Sequence, residues 1–278
     1  MKKFLLITIA AMMSLALFTG CSSEELGESE ETGKGKLSGT VSANGSTSME
    51  KLIAVLSEAF MAKNPDVVVT YEATGSGAGI TAASEGMADI GLSSRDLKGN
   101  EMGLDTTVIA IDGIALIVNK ENPVADLTTE QIAGLAKGGI SNWKDVGGND
   151  APVVFIGREA GSGTRDGFES IVKVSDECAY EQELTSTGAV IAAVAANKNA
   201  IGYASVAAVG DTVNMVKVNG VVCTKETILD GSYPIQRNFN IITKQGAELS
   251  AAAKAFIQFA LSDEVSDVIA KAGVIQAK

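Results

Sequence analysis

The chain has 278 residues, 46% of them hydrophobic and 20% charged, with a formal net charge of −12 and no histidine. So acidic a balance argues against nucleic acid or an anionic membrane surface as a partner. The missing imidazole excludes Ser-His-Asp and Cys-His nucleophile systems, His-ligated zinc and a histidine general base.

Lys2 and Lys3 open the chain, an apolar run extends from Phe4 to Phe18, and Thr19-Gly20-Cys21 follows. This is the layout of a secretory signal peptide, and its apolar part is short for a membrane span. Small residues before a single cysteine point to a bacterial lipobox, in which residues 1–20 are removed and Cys21 is acylated. Phe18 departs from the commonest pattern, which has leucine there. An ordinary cleaved signal, or an uncleaved anchor, is the plainer reading of the same stretch. Residues 22–36 are rich in Ser, Glu, Gly and Lys, with no aromatic or β-branched apolar residue. Such a segment buries too little surface to offset its ordering entropy, so 21–36 is expected to be a flexible tether. Losing Lys2 and Lys3 with the leader takes the formal charge to −14. Any anion must then be held by local geometry against the average field.

The residues beyond the leader suffice for one large or two modest domains, and apolar runs alternating with amphipathic stretches predict an α/β architecture. A first Gly/Ser/Thr loop, Ala43-Asn44-Gly45-Ser46-Thr47-Ser48, precedes a helix predicted over Met49–Lys63, where Met49, Leu52, Ile53, Leu56, Ala59 and Phe60 share one face. A strand over Val67–Thr74 leads into a second loop, Thr74-Gly75-Ser76-Gly77-Ala78-Gly79, and a helix from about Ile80. The segment Ala88–Leu92 runs into Ser93-Ser94-Arg95. Strands are predicted over Ile111–Asn119 and Val153–Ile156, the second opening a third loop, Gly157–Arg165, ahead of a helix over Thr164–Val172. Strands over Asn199–Ser205 and Asn238–Thr243 precede two C-terminal helices within Glu248–Lys271, broken near Ser262-Asp263, with Phe256 and Phe259 facing a core. There is no internal repeat and no interdomain linker rich in Pro or Ser. Two lobes joined by strand-like crossings reconcile that continuity with the length.

Each of the three loops falls between a strand and a helix, where free N–H groups, hydroxyls and a positive dipole end converge. Glycine lets the backbone approach a ligand closely, and consecutive N–H groups form anion nests. A hydroxyl before a helix is ordinarily only an N-cap; three loops of this composition in one chain favour a ligand. None is a Walker A loop or a Gly-x-Gly-x-x-Gly fingerprint, which argues against dinucleotide binding. The chain has four arginines, Arg95, Arg158, Arg165 and Arg237. Two sit in the third loop and Arg95 follows Ser93-Ser94; the planar guanidinium fork suits a tetrahedral oxyanion. Solubility, or a salt bridge to Glu159 or Asp96, is the competing reading of these arginines. Cys178 and Cys223 lie outside any metal-ligand spacing and either pair as a disulfide or are two buried thiols.

At these loops the sequence resembles the phosphate-binding proteins of phosphate ABC transporters. The resemblance extends from Leu37 to the C-terminal helices. It rests on Gly45-Ser46-Thr47-Ser48, Gly75-Ser76-Gly77-Ala78-Gly79, Asp89-Ile90-Gly91-Leu92-Ser93-Ser94-Arg95 and Gly161-Ser162-Gly163-Thr164-Arg165, with weaker support from Asn142–Gly148 and Ala200-Ile201-Gly202-Tyr203. It implies a two-lobed, type II periplasmic-binding-protein fold with a hinge and an interlobe ligand cleft. Lobe 1 is expected from 37–114 plus 234–278, and lobe 2 from 115–233. The implied phosphate ligands are Ser46, Thr47, Ser48, Ser76, Ser94, Arg95, Arg158, Ser162, Gly163 and Thr164, without metal, cofactor or catalytic residue. Some family members carry an aspartate at the position of Ser94, where it accepts the proton of phosphate. Serine there leaves Glu159 as a candidate substitute acceptor. The resemblance further implies a monomeric, lipid-anchored receptor on the outer face of the cell membrane that delivers phosphate to an ABC permease. Two rival readings stand beside it: a binding protein for sulfate or molybdate, and, more distantly, a secreted enzyme acting on phosphate esters.

Overall fold

The runs rich in Val and Ile pair into one continuous sheet, seen here in a computed structural model that describes residues 36–277. The leader, Cys21 and all of the tether except Lys36 lie outside the described residues. The strands are β1 (Ser38–Gly45), β2 (Asp66–Ala73), β3 (Ile90–Ser93), β4 (Leu104–Asn119), β5 (Asp126–Leu127), β6 (Val154–Arg158), β7 (Gln182–Leu184), β8 (Ala200–Ser205), β9 (Val213–Val218), β10 (Gln236–Lys244) and β11 (Ile275–Gln276). The helices are α1 (Glu50–Lys63), α2 (Ser76–Glu85), α3 (Thr129–Ala136), α4 (Gly163–Val172), α5 (Thr187–Ala196), α6 (Lys225–Leu229), α7 (Ala251–Leu261) and α8 (Ser266–Ala272). No helix among the described residues is long and apolar enough to cross a membrane.

The sheet runs β2-β1-β3-β10-β4-β8-β6-β7, and its long member β4 divides it. Leu104–Gly113 of β4 pairs antiparallel with β10, whereas Ile114–Asn119 pairs with β8 and β9. Burial follows the same division. One core gathers Val41, Leu52, Ile53, Leu56, Phe60, Ile90, Ile109, Phe239 and Phe256; another gathers Ile114 to Val118, Trp143, Phe155, Phe168, Tyr203, Tyr233 and Ile235. The cores part between Ala110 and Ile114 on β4 and between Ile235 and Phe239 on the returning chain.

The predicted strands and helices appear, with edges moved by local chemistry. Thr47–Met49 forms a 3-10 turn, so α1 begins at Glu50. Strand β4 starts at Leu104, seven residues before the predicted strand, because exposed Asp105 and Thr106 and half-buried Thr107 interrupt the apolar pattern that marked Ile111–Asn119. Strand β1, implied ahead of the first loop, had no bounds in the sequence reading. Its Gly, Ala and Asn carry little β-propensity, and it forms because β2 and β3 pair with it on both sides while Val41 and Ala43 enter the core. Helix α5 was not expected: its run Ala189–Ala196 is apolar on every face, so no period marks it.

Candidate anion-binding site

Gly45 ends β1 at φ 144°, and a Cβ there would lie 2.2 Å from the Leu92 carbonyl oxygen, so only glycine lets the first loop cross β3. The Ser46 N–H donates to that carbonyl at 2.9 Å, and the Tyr71 hydroxyl donates to Ser46 O at 2.6 Å. The Thr74 and Gly75 N–H groups both donate to Gly45 O at 2.9 Å, which fixes the second loop beside the first. The third loop joins them from the other half, since Gly77 N–H donates to Gly161 O at 2.9 Å.

Capping does not account for these hydroxyls. Neither Ser46 nor Gly75, the residues that open the Thr47 turn and α2, makes a side-chain cap. Ser162 does cap α4, by accepting from Arg165 N–H. The hydroxyls meet one another instead. Ser48 Oγ lies 2.5 Å from Thr164 Oγ1 and 3.1 Å from Thr187 Oγ1, and Thr47 Oγ1 lies 3.2 Å from Thr187 Oγ1. Ser46 donates to Ser94 Oγ at 2.8 Å, and Ser76 Oγ is 3.2 Å from the same atom. Gly163 faces this group so closely that a Cβ would fall 2.4 Å from Ser76 Oγ and 2.7 Å from Ser94 Oγ. Ser46, Thr47, Ser48, Ser76, Ser94, Ser162 and Thr164 are all buried.

Arg158 stands among them, 1% exposed, with every donor used. Nε donates to Leu184 O at 2.9 Å, and NH2 to Thr185 O at 3.1 Å and Glu159 Oε1 at 2.8 Å. NH1 alone faces hydroxyls, Thr47 Oγ1 at 3.0 Å and Thr187 Oγ1 at 3.3 Å. The backbone is braced as well. Arg158 N–H donates to the Tyr203 hydroxyl, and Arg158 O accepts from Arg165 NH1 at 2.9 Å. Tyr203 stacks on Phe168 at 4.3 Å between ring centres. Burial pushes the Tyr203 and Tyr180 phenols well above their ordinary range, so both remain neutral hydrogen-bonding groups. Glu159 keeps Oε2 buried without a hydrogen-bond partner, so it has acceptor capacity to spare.

The structure therefore brings together Ser46, Thr47, Ser48, Ser76, Ser94, Arg158, Ser162, Gly163 and Thr164, and takes Arg95 away from them. Arg95 gives NH1 and NH2 to Glu101 at 2.7 Å each, and its Nε contacts Asp166 at 2.8 Å. Two carboxylates hold by charge a guanidinium that sequence reasoning placed on the ligand. Arg165 is a brace, held by Glu169 and Glu183.

Two neighbours escaped the sequence reading. Thr187 bridges Thr47, Ser48 and Arg158; its signal was a fourth hydroxyl-rich stretch, Thr185-Ser186-Thr187-Gly188, that runs into the first turn of α5. Arg237 donates from NH1 to Ser94 Oγ at 3.3 Å while Nε and NH2 bind Asp112 Oδ2 at 3.0 and 2.9 Å. Burial pushes the Asp112 carboxyl up and the Arg237 guanidinium down, and the attraction between them works against both shifts. Ser94 Oγ thus accepts from both Ser46 and Arg237.

Among the described residues no three His, Cys, Asp or Glu side chains are placed to hold a metal ion. Cys178 and Cys223 are free thiols, pushed up by burial to about 11 and about 12. Neither is an activated nucleophile.

A family model described as a PBP superfamily domain matches residues 30–264. The phosphate-binding protein PstS of Bacillus subtilis is 30% identical over 96% of this chain and 91% of its own length. PstS of Borreliella burgdorferi is also 30% identical, over the whole of both chains. Among solved structures, a putative phosphate ABC transporter substrate-binding protein from Clostridium perfringens with bound phosphate superposes with a TM-score of 0.81 at 44% identity. It covers 86% of this chain and 100% of that one. An ABC-type phosphate transport receptor from Vibrio cholerae gives 0.72 at 33% identity over the same shares. The α/β fold with its two cores is the two-lobed type II architecture. The chain belongs to the PstS phosphate-binding proteins of the PBP superfamily.

Proposed function

We propose that the chain captures inorganic phosphate between two closing lobes and hands it to the membrane permease of an ABC transporter. One observation carries the reading. Arg158 NH1, Thr164 and Thr187 from one half meet Thr47 and Ser48 from the other at 2.5–3.2 Å, so donors from both halves converge on one buried point. An anion there stabilises the closed arrangement by contacts the open one lacks. The ligand set is Ser46, Thr47, Ser48, Ser76, Ser94, Arg158, Ser162, Gly163 and Thr164, now with Thr187 and with Arg237 acting through Ser94. Lobe 1 comprises 37–114 and 234–278 and lobe 2 comprises 115–233, a division supported by the parting of the two cores. The chain is a receptor rather than an enzyme, a reading supported by its binding-protein relatives. It works as a monomer held at the outer face of the membrane by acyl chains on Cys21. More than one chain is needed, because a single one anchors only marginally.

Calorimetric titration of protein beginning at residue 22, prepared free of phosphate, tests this. One-to-one binding of phosphate is expected, and no heat with phosphate overturns the assignment. The second reading, another tetrahedral oxyanion, is favoured by Ser94, which accepts from Ser46 and Arg237 and lacks the carboxylate that rejects a fully deprotonated anion. Tighter binding of sulfate or molybdate than of phosphate would establish it instead.

A further inference from the structure

Arg95 turns from the hydroxyl cluster and reaches across the cleft. Its half of the molecule holds it rigidly. Glu101 grips NH1 and NH2 at 2.7 Å each and accepts from the Lys98 N–H at 2.7 Å, so the loop after β3 presents Arg95 and Lys98 side by side. That grip holds the Glu101 carboxyl below its ordinary range. Opposite stands Asp166, in the first turn of α4, with Oδ2 at 2.8 Å from Arg95 Nε and 3.0 Å from Lys98 Nζ. The Arg95 contact is held by charge rather than by an aligned hydrogen bond, since neither Nε nor Oδ2 has a hydrogen-bond partner. Among the described residues, every other ion pair joins groups within one half. The three residues line a cleft of about 640 Å³ that also touches Ser94 and Arg237.

We propose that Asp166, seized by Arg95 and Lys98, is an electrostatic latch that holds the closed form and sets how long a captured anion stays. The proposal rests on the lobe-closure reading above. Asp166 follows Thr164 by two residues on the helix whose first turn faces the anion site, so the latch acts on the element that opening must carry away. Opening by a few ångströms hydrates all three charges, and in water so separated a pair contributes little. Arg95 keeps Glu101 in either state, so breaking the latch orphans no buried arginine. Asp166 is therefore a positioning residue that never touches the ligand.

The test is stopped-flow and calorimetric phosphate binding by the full mature chain. Asp166→Asn is expected to raise Kd about ten-fold, carried by a faster off-rate with the on-rate unchanged. Asp166→Glu restores most of the loss. Lys98→Gln, on an exposed side chain with no part in folding, raises Kd about three-fold. Wild-type Kd and off-rate in both Asp166→Asn and Lys98→Gln, or a loss carried by the on-rate, overturns the latch. Should the wild type bind no phosphate, the functional reading falls and small-angle scattering of the unliganded proteins decides the latch. A larger radius of gyration in Asp166→Asn supports it, and identical radii overturn it.

Discussion

Replacing Arg158 by lysine keeps one positive charge in the site and removes the fork. The guanidinium directs five N–H donors along fixed lines: Nε and NH2 anchor it to Leu184 O, Thr185 O and Glu159, and NH1 is left for Thr47 and Thr187 on the anion side. An ammonium has three donors and cannot span both sets from one position. If it stays with the carbonyls, the anion loses two charge-assisted bonds worth about 1.5–3 kcal/mol each, so Kd rises about two to four orders of magnitude. If it turns to the anion, two buried carbonyls lose their donor at about 1–3 kcal/mol apiece, and the cost appears as a lower melting temperature. Titration and thermal melting of the same sample therefore have to be read together. A variant that melts with the wild type and binds phosphate within a few-fold of it would refute the claim that Arg158 is the charge on the ligand.

Three further outcomes follow from neighbouring atoms. Gly163→Ala places a methyl 2.4 Å from Ser76 Oγ and 2.7 Å from Ser94 Oγ. Because this clash arises between the halves, phosphate affinity should fall about a hundred-fold while the melting temperature of unliganded protein hardly moves. Ser94→Asp adds an acceptor beside Arg237 NH1, so sulfate binding measured by titration should weaken about ten-fold relative to phosphate, which brings its own proton. Glu101 has its carboxyl held below the ordinary 4.5, chiefly by the Arg95 hydrogen bond. Its contribution to stability is complete above pH 4.5 and is lost as pH falls through the depressed value, so Glu101→Gln should lower the neutral-pH melting temperature and flatten the acid limb of the melting curve.

Much of this was legible because helix N-termini announce themselves: a glycine, a hydroxyl and an apolar period are local signals. Ser46–Ser48, Ser76 and Ser162–Thr164, which the structure brings together, were singled out by such signals, and two lobes by continuity without a linker. The arginines were not legible in the same way. Nothing within a few residues of Arg95 tells that Asp166, 71 positions on, lies across the cleft, or that Arg237 reaches Ser94 over 143 positions. A guanidinium goes to whichever carboxylate the fold brings within reach, and reach is a tertiary property. Thr187 is a different omission, for its loop carried the same local signature and was hidden only by the featureless apolar run behind it.

Two of the buried arginines, Arg158 and Arg237, also show how a chain of formal charge −12 can hold an anion at all. Each has its own carboxylate, Glu159 for Arg158 and Asp112 for Arg237, so neither leaves an uncompensated charge in the unliganded protein. Besides the two N–H groups of Arg158 NH1, what remains for the ligand is short-ranged: hydroxyl protons, loop N–H groups and the ends of α2 and α4. Such dipoles are strong only at contact and only where water is excluded. Far from the site the acidic surface repels phosphate, so steering cannot supply affinity; closure must, by excluding water and bringing both sets of donors to one point. An affinity built on closure is exposed to anything that biases closure without touching the ligand. That is why one carboxylate in the first turn of α4, two residues beyond Thr164, is expected to govern release.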